Sequence, residues 1–172
     1  MKVVDNVLPE DVFLPIQDGL MSNSFPWFYN NQTVYDTISE KHDYQLTHNF
    51  YTLNEQFGSG IYSSFFEKIE PIIKELNCFC LLRVKANLRT IYDGPQNKQS
   101  IYYHKDYEVD CTTAIFYMTT NNGYTIFKDT GEKVDCVANR LVIFDSNLEH
   151  AGISSNDSKQ RIVINFNYIE KT

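Results

Sequence analysis

His104, Asp106, His150 and Arg161 are the residues whose types and spacing could do chemistry. In the extended segment His104-Lys105-Asp106, residues i and i+2 project to the same side, so an imidazole and a carboxylate can grip one ion from a strand end. A third ligand must come from elsewhere. His150 follows RLVIFDSNLE, a buried-looking strand and a turn, and in a jelly roll such a segment can lie antiparallel beside the first. Two imidazoles and one carboxylate on one face of an octahedral ion leave three positions open, the arrangement of a non-haem Fe(II) site that takes a bidentate co-substrate and dioxygen. A structural zinc site would instead be closed by four ligands. Arg161 lies 11 residues after His150 and opens the alternating run RIVINFNY. A strand-opening arginine is ordinarily a surface residue, but its guanidinium fork also matches a carboxylate bidentately. An HxD pair alone is weak evidence; its conjunction with a further histidine and an arginine, in a chain with only four histidines, is much stronger.

The elements that must position these residues are read from hydrophobic period. Residues 63–76, SSFFEKIEPIIKEL, put Phe65, Phe66, Ile69, Ile72, Ile73 and Leu76 at helical spacing, with Pro71 as a candidate kink. Residues 9–20 open with Pro9, Glu10 and Asp11, which suit a first helical turn; Pro15 interrupts the run and Gly19 is a candidate stop. From residue 78 the period changes to two. Strands are expected at 78–92, 101–104, 111–119, 124–128, 133–137, 141–145 and 161–169, with a short one around His150 making eight. Turn chemistry separates them at Asp93-Gly94-Pro95, Asn121-Asn122-Gly123, Thr130-Gly131 and 154–159. Many short strands so punctuated predict a mainly β fold with N-terminal helices (α+β), a sandwich or a double-stranded jelly roll. The expected layout is a single domain over 1–172, with a helical and loop part at 1–77 and a jelly-roll core at about 78–169.

Composition narrows the class. At 172 residues with 42% hydrophobic content the chain can bury a core without disulfides, and its 12 Tyr and 12 Phe favour a sheet. A net charge of −7 argues against a general nucleic-acid binder, which needs a basic face. No signal peptide and no membrane span is legible, so a cytoplasmic protein is expected. Cys78, Cys80, Cys111 and Cys136 are read as buried small hydrophobes, because Cys78-Phe79-Cys80 lacks the spacing of a CxxC site. The FPWFYN stretch around Trp27 is expected to be a strand closing over the barrel, or else one wall of a cleft. Residues 30–58 are expected to form a long loop or a pair of short strands, and are the candidate for a lid. His42 and His48 within them have no carboxylate or thiol at ligand spacing, so exposed histidines are expected there rather than a second metal site.

His104-x-Asp106, NNGYTIF (121–127), NRLVIFDSNLEHAG (139–152) and RIVINFNY (161–168) together resemble the 2-oxoglutarate- and Fe(II)-dependent oxygenases. Within these the chain is most similar to the prolyl-4-hydroxylase-like group, particularly short forms encoded by bacteriophages. The resemblance covers roughly residues 81–169. It implies a distorted double-stranded β-helix with one or two supporting helices. It also implies Fe(II) bound by His104, Asp106 and His150, and Arg161 on the distal carboxylate of 2-oxoglutarate. A second co-substrate contact from a strand before the HxD is implied as well, with Asn87, Tyr92 and Tyr102 as candidates. The activity implied is consumption of O2 and 2-oxoglutarate, release of succinate and carbon dioxide, and hydroxylation of a small-molecule or peptide substrate. Selectivity for that substrate would lie in residues 22–62 and 93–100. Two other readings stay open at this level: a jelly-roll module that binds glycans or sits on a virion, and a cupin-like metalloenzyme that does not use 2-oxoglutarate.

Overall fold

The computed structural model describes residues 1–31, 44–53, 60–107 and 109–172. In chain order its elements are β1 (Lys2–Val4), α1 (Glu10–Met21), β2 (Phe28–Asn30), β3 (Gln45–Thr52), β4 (Gly60–Ile61), α2 (Phe66–Lys74), β5 (Cys78–Thr90), β6 (Thr112–Tyr117), β7 (Tyr124–Phe127), β8 (Lys133–Asp135), β9 (Arg140–Asp145), β10 (His150–Ile153) and β11 (Gln160–Glu170). The strands form two antiparallel sheets. The larger runs β1-β9-β6-β11-β5-β3-β2 with β4 on β3, and the smaller runs β10-β7-β8.

Strand alternation sends each strand of the larger sheet two ways. On β11, Ile162, Ile164, Phe166 and Tyr168 join Val84, Ala86 and Leu88 of β5 under the helices, where Phe13, Ile16 and Leu20 of α1 and Ile69 and Ile72 of α2 meet them. On the opposite face Ile115 and Tyr117 of β6 and Val163 of β11 pack against Phe127 and Val134 of the smaller sheet. Burying Ile69 or Ile72 contributes roughly 1.5–3 kcal/mol each. Toward β5 and β3 that same face turns polar, and the two sheets part around a cavity.

Both helices run through their prolines. Pro15 and Pro71 each remove the donor for the carbonyl four residues back, but those carbonyls belong to the exposed residues Asp11 and Glu67, where water can satisfy them. α1 passes Gly19 and ends at Met21, with the Ser22 N–H turned back to the Gly19 carbonyl. No helix among the described residues is long and apolar enough to cross a membrane.

Several sequence expectations change. The 101–104 strand is a single antiparallel bridge, His104 to His150, closed by both N–H···O bonds at 3.0 Å. The 30–58 stretch contains a full eight-residue strand, β3, whose period is masked because Gln45 and His48 are polar yet buried. The proposed lid falls mainly on 32–43 and 54–59, outside the described residues, as does His42. Trp27 packs with Phe25, ring centroids 4.9 Å apart, on the helix-side core, and so does not wall the cavity.

His48 is buried rather than exposed. Its Nδ1 bonds the Pro26 carbonyl at 2.8 Å and its Nε2 the Ser63 hydroxyl at 2.7 Å, inside a ring of Phe25, Phe50 and Phe65. Ser63 Oγ in turn accepts the Phe65 N–H at the start of α2, so the histidine ties two loops and a helix end together. Burial holds His48 below its ordinary 6.5, the Pro26 bond opposing this in part. A depressed folded value means that its contribution is complete above about pH 6.5 and declines as pH falls below it. His48→Leu strands the Pro26 carbonyl and the Ser63 hydroxyl and should lower stability by roughly 2–4 kcal/mol, read from urea unfolding at pH 7.5.

Candidate metal centre and its cavity

Three side chains meet where β10 runs beside the His104 segment. His104 Nε2 lies 3.6 Å from Asp106 Oδ1, and His150 Nε2 lies 3.7 Å from Asp106 Oδ2. One donor atom from each residue falls within 4.8 Å of the others. Ligands at right angles on one ion, with bonds of roughly 2.1 Å, stand about 3 Å apart, so small side-chain rotations suffice to close on a metal. The two histidines are oriented alike: His104 Nδ1 bonds the Tyr102 carbonyl at 3.2 Å and His150 Nδ1 the Leu148 carbonyl at 3.1 Å. Because a carbonyl only accepts, each bond places the proton on Nδ1 and leaves the Nε2 lone pair facing Asp106. Burial holds His150 below the ordinary imidazole value despite the opposing pull of Asp106, which keeps it neutral and ready to ligate at neutral pH.

Asp106 is the only carboxylate among the described residues that line the cavity, and its side chain is 5% exposed. Burial disfavours its charge, but the two imidazoles in their protonated form, together with the Arg83 guanidinium, outweigh that, so its carboxyl titrates well below the usual range. Arg83 Nη2 stands 3.5 Å from Oδ1, and Asn165 Nδ2 donates to Oδ2 at 3.2 Å. These neighbours aim the carboxylate at the histidines. Neither is marked by a local motif: Arg83 and Asn165 reach Asp106 because β5 and β11 pair with Lys85 opposite Asn165.

Arg161 lies at the far end of a cavity of about 270 Å³, four residues along β11 from Asn165. It is 4% exposed, and its guanidinium makes no ion pair among the described residues. Nη2 donates to Thr125 Oγ1 at 3.1 Å, Nε is buried without a partner, and the Tyr117 ring lies beneath at 5.7 Å. The Tyr117 hydroxyl donates to the same Thr125 at 2.7 Å and its pKa is pushed up to about 12 by burial, the arginine opposing. Gly152 and Gly123 make the room. A Cβ at 152 would meet Arg161 Nη1 at 3.2 Å, and one at 123 would meet Arg161 Cδ and the Ile153 carbonyl, each at 2.8 Å. A buried cation with an orphaned N–H, cradled by two glycines and facing open space, fits an anionic ligand.

Of the three residues expected to make a second co-substrate contact, Asn87 and Tyr102 line the cavity, and Asn87 Oδ1 is buried without a partner. Tyr92 does not line it: the residue lies two beyond the end of β5 and its hydroxyl reaches the Lys98 carbonyl. Thr125, Arg83 and Asn165 are the site residues that the sequence reading missed. Thr125 stands within the NNGYTIF run, but its place opposite Gly152 follows only from the β7–β10 register.

The fold is thus an antiparallel double sheet of jelly-roll type, with an open two-histidine, one-carboxylate cluster at one end of its cavity and a buried arginine at the other. The fold is that of the 2-oxoglutarate- and Fe(II)-dependent oxygenases in their prolyl-hydroxylase-like form. No family model and no curated protein matches the sequence; the similarity is one of structure. An oxidoreductase of the 2OG-Fe(II) oxygenase family from Burkholderia pseudomallei superposes with a TM-score of 0.68 at 8% identity, over 98% of this chain and 84% of that one. A prolyl-4-hydroxylase from Pseudomonas putida gives 0.63 at 13% identity, over 99% and 92%. A prolyl hydroxylase from Trichoplax adhaerens, in complex with a hypoxia inducible factor peptide fragment, gives 0.61 at 14%, over 98% and 83%.

Proposed function

We propose that the protein is an Fe(II)- and 2-oxoglutarate-dependent dioxygenase, one domain over the residues of this sequence, that hydroxylates an organic substrate. The observation that carries this reading is Arg161: a buried guanidinium with, among the described residues, an unpartnered Nε and no counter-ion, at the opposite end of one cavity from the His104–Asp106–His150 cluster. A buried cation is costly unless something pairs with it. In this reading His104, Asp106 and His150 hold iron, and Arg161 with Thr125 holds the distal carboxylate of 2-oxoglutarate. Asn87 and Tyr102 face the space between. Arg83 and Asn165 fix the Asp106 carboxylate, and the Tyr102 and Leu148 carbonyls fix the imidazoles. Bound iron and 2-oxoglutarate supply oxidation of a substrate C–H bond by O2, one oxygen atom going to succinate and the other to the new hydroxyl, with carbon dioxide released. The fold neighbours support the same reading, since one of those solved structures is named as a member of the 2OG-Fe(II) oxygenase family and another as a prolyl-4-hydroxylase.

The test is succinate formation by protein reconstituted with Fe(II) without oxygen and then given air and 2-oxoglutarate. Slow succinate release that needs both additions and is abolished by a chelator is expected even without the true substrate. Metal uptake with no succinate at any 2-oxoglutarate concentration would favour a cupin-like enzyme instead. Glycan binding with no metal uptake would make the chain a binding module.

A further inference from the structure

β5 carries a row of cations of which only Arg83 touches the metal cluster. Leu82, Val84, Ala86 and Leu88 turn to the helices, so Arg83, Lys85, Asn87 and Arg89 turn to the cavity, each about 7 Å from the next. With Lys105 and Arg161, five basic side chains and a single carboxylate, Asp106, line the cavity among the described residues, in a chain whose net charge is −7. A divalent metal and a dicarboxylate cancel one another, so loading both leaves that local surplus of positive charge unchanged.

The cations differ in what already holds them. Arg83 is committed to Asp106 and to Asn167 Oδ1, the latter at 3.0 Å. Arg89 donates to the Gly152 carbonyl, level with Arg161 in the β5–β11 register. Lys105 bonds Asn147 Oδ1 at 3.3 Å, away from the sheet. Lys85 makes no hydrogen bond or ion pair among the described residues, although it is half-buried. It stands opposite Asn165, the residue that touches Asp106, and so is level with the metal donors rather than with Arg161. Asn165 Oδ1 beside it is buried without a partner. Burial and the neighbouring Arg83 both work against the charge on Lys85, and Asp106 supports it. An ammonium kept in such a place lacks an anion.

We propose that the substrate oxidised at this site is a small carboxylic acid whose carboxylate is held by Lys85. The proposal rests on the oxygenase reading above for what happens to the bound acid. One uncommitted ammonium matches the single charge of a carboxylate. A phosphate dianion would need a second free donor, and Arg83 and Arg89 are already engaged. The substrate is small because a cavity of about 270 Å³, already below the roughly 300–1,000 Å³ of a typical ligand pocket, must house the co-substrate too. Asn87 Oδ1 and Asn165 Oδ1 flank Lys85 along the sheet and offer acceptors to an amino or hydroxyl group on the same molecule.

Equilibrium binding tests this without turnover. Protein loaded with Zn(II) and saturated with 2-oxoglutarate is titrated by calorimetry with L-proline, L-leucine and pentanoate, with their primary amides, and with methyl phosphate. At least one acid should bind about tenfold or more tighter than its amide. Lys85→Met should erase that preference, and Lys85→Arg should keep it, while metal and 2-oxoglutarate affinities stay as in the parent. Amides binding as well as acids, or methyl phosphate binding more tightly than any acid, overturns the carboxylate assignment. So does a Lys85→Met variant whose main defect is weaker 2-oxoglutarate binding, which would give Lys85 to the co-substrate. Repeating the series on metal-free protein separates the two readings: a Lys85-dependent preference for acids with no binding of metal or 2-oxoglutarate would sink the oxygenase reading and leave the anion site standing.

Discussion

Asp106→Asn should reduce metal affinity by more than about 100-fold and remove iron-dependent succinate formation, with the fold intact. The magnitude follows from rank: a partner that merely orients a ligand costs 10–100-fold when lost, and Asp106 is read as a ligand and as the cluster's only charge-neutralising group. The fold should survive because the amide keeps the shape of the side chain and an oxygen to accept from Asn165. What it loses is the charge that Arg83 and the two histidines face. That charge also stabilises the metal-free protein. Its folded pKa is depressed, so its contribution is complete above the ordinary carboxylate value of 3.8 and is lost as pH falls below it. The metal-free Asp106→Asn protein should therefore show a shallower loss of stability on acidification than the parent. Mn(II) titration reads the first effect and urea unfolding from pH 3 to 7 the second. Unchanged Mn(II) affinity would remove Asp106 from the ligand set.

The triad was legible because its signal is local. His104 and Asp106 share a side of one short extended segment, and His150 follows its own strand at a turn, so the bridge between the two segments needed only antiparallel pairing. α2 was legible from its apolar stripe and α1 from its Pro9-Glu10-Asp11 start, and both run on because proline is tolerated where the freed carbonyl belongs to an exposed residue. What was not legible depends on partners far along the chain. The alternation of LRVKANLRT is plain in the sequence, but cations on one face of a strand ordinarily mark a solvated edge. Only the smaller sheet lying over that face makes it a cavity wall. β3 was hidden for a related reason: His48 and Gln45 break the apolar period because each is polar where the strand is buried. Tyr92 was a candidate because it falls near the end of an expected strand to residue 92. β5 ends at Thr90, and that offset puts the tyrosine in the following turn and leaves Asn87 facing inward.

Arg161→Met should weaken 2-oxoglutarate binding by roughly 30- to 4,000-fold without changing metal affinity. Removing one partner of a buried, hydrogen-bonded charge pair costs about 2–5 kcal/mol, and each 1.4 kcal/mol is a factor of ten. The discriminating measurement uses a second ligand. 2-Oxobutanoate keeps the 2-oxo acid that would chelate the metal and lacks the distal carboxylate, so the parent should prefer 2-oxoglutarate strongly and Arg161→Met should barely distinguish them. A variant that weakens both ligands equally would mean that Arg161 acts by shaping the cavity instead. The stability of the ligand-free protein should move the other way. Arg161 is buried with its Nε unpaired and no counter-ion among the described residues, and an apolar side chain of similar length relieves that cost. The metal-free variant should therefore melt at the parental temperature or above it, while the rise in Tm that 2-oxoglutarate gives the metal-loaded parent disappears. A side chain that costs the empty protein stability and recovers it on binding a dicarboxylate is positioned for the ligand, and these two opposite shifts distinguish it from an arginine kept for the core.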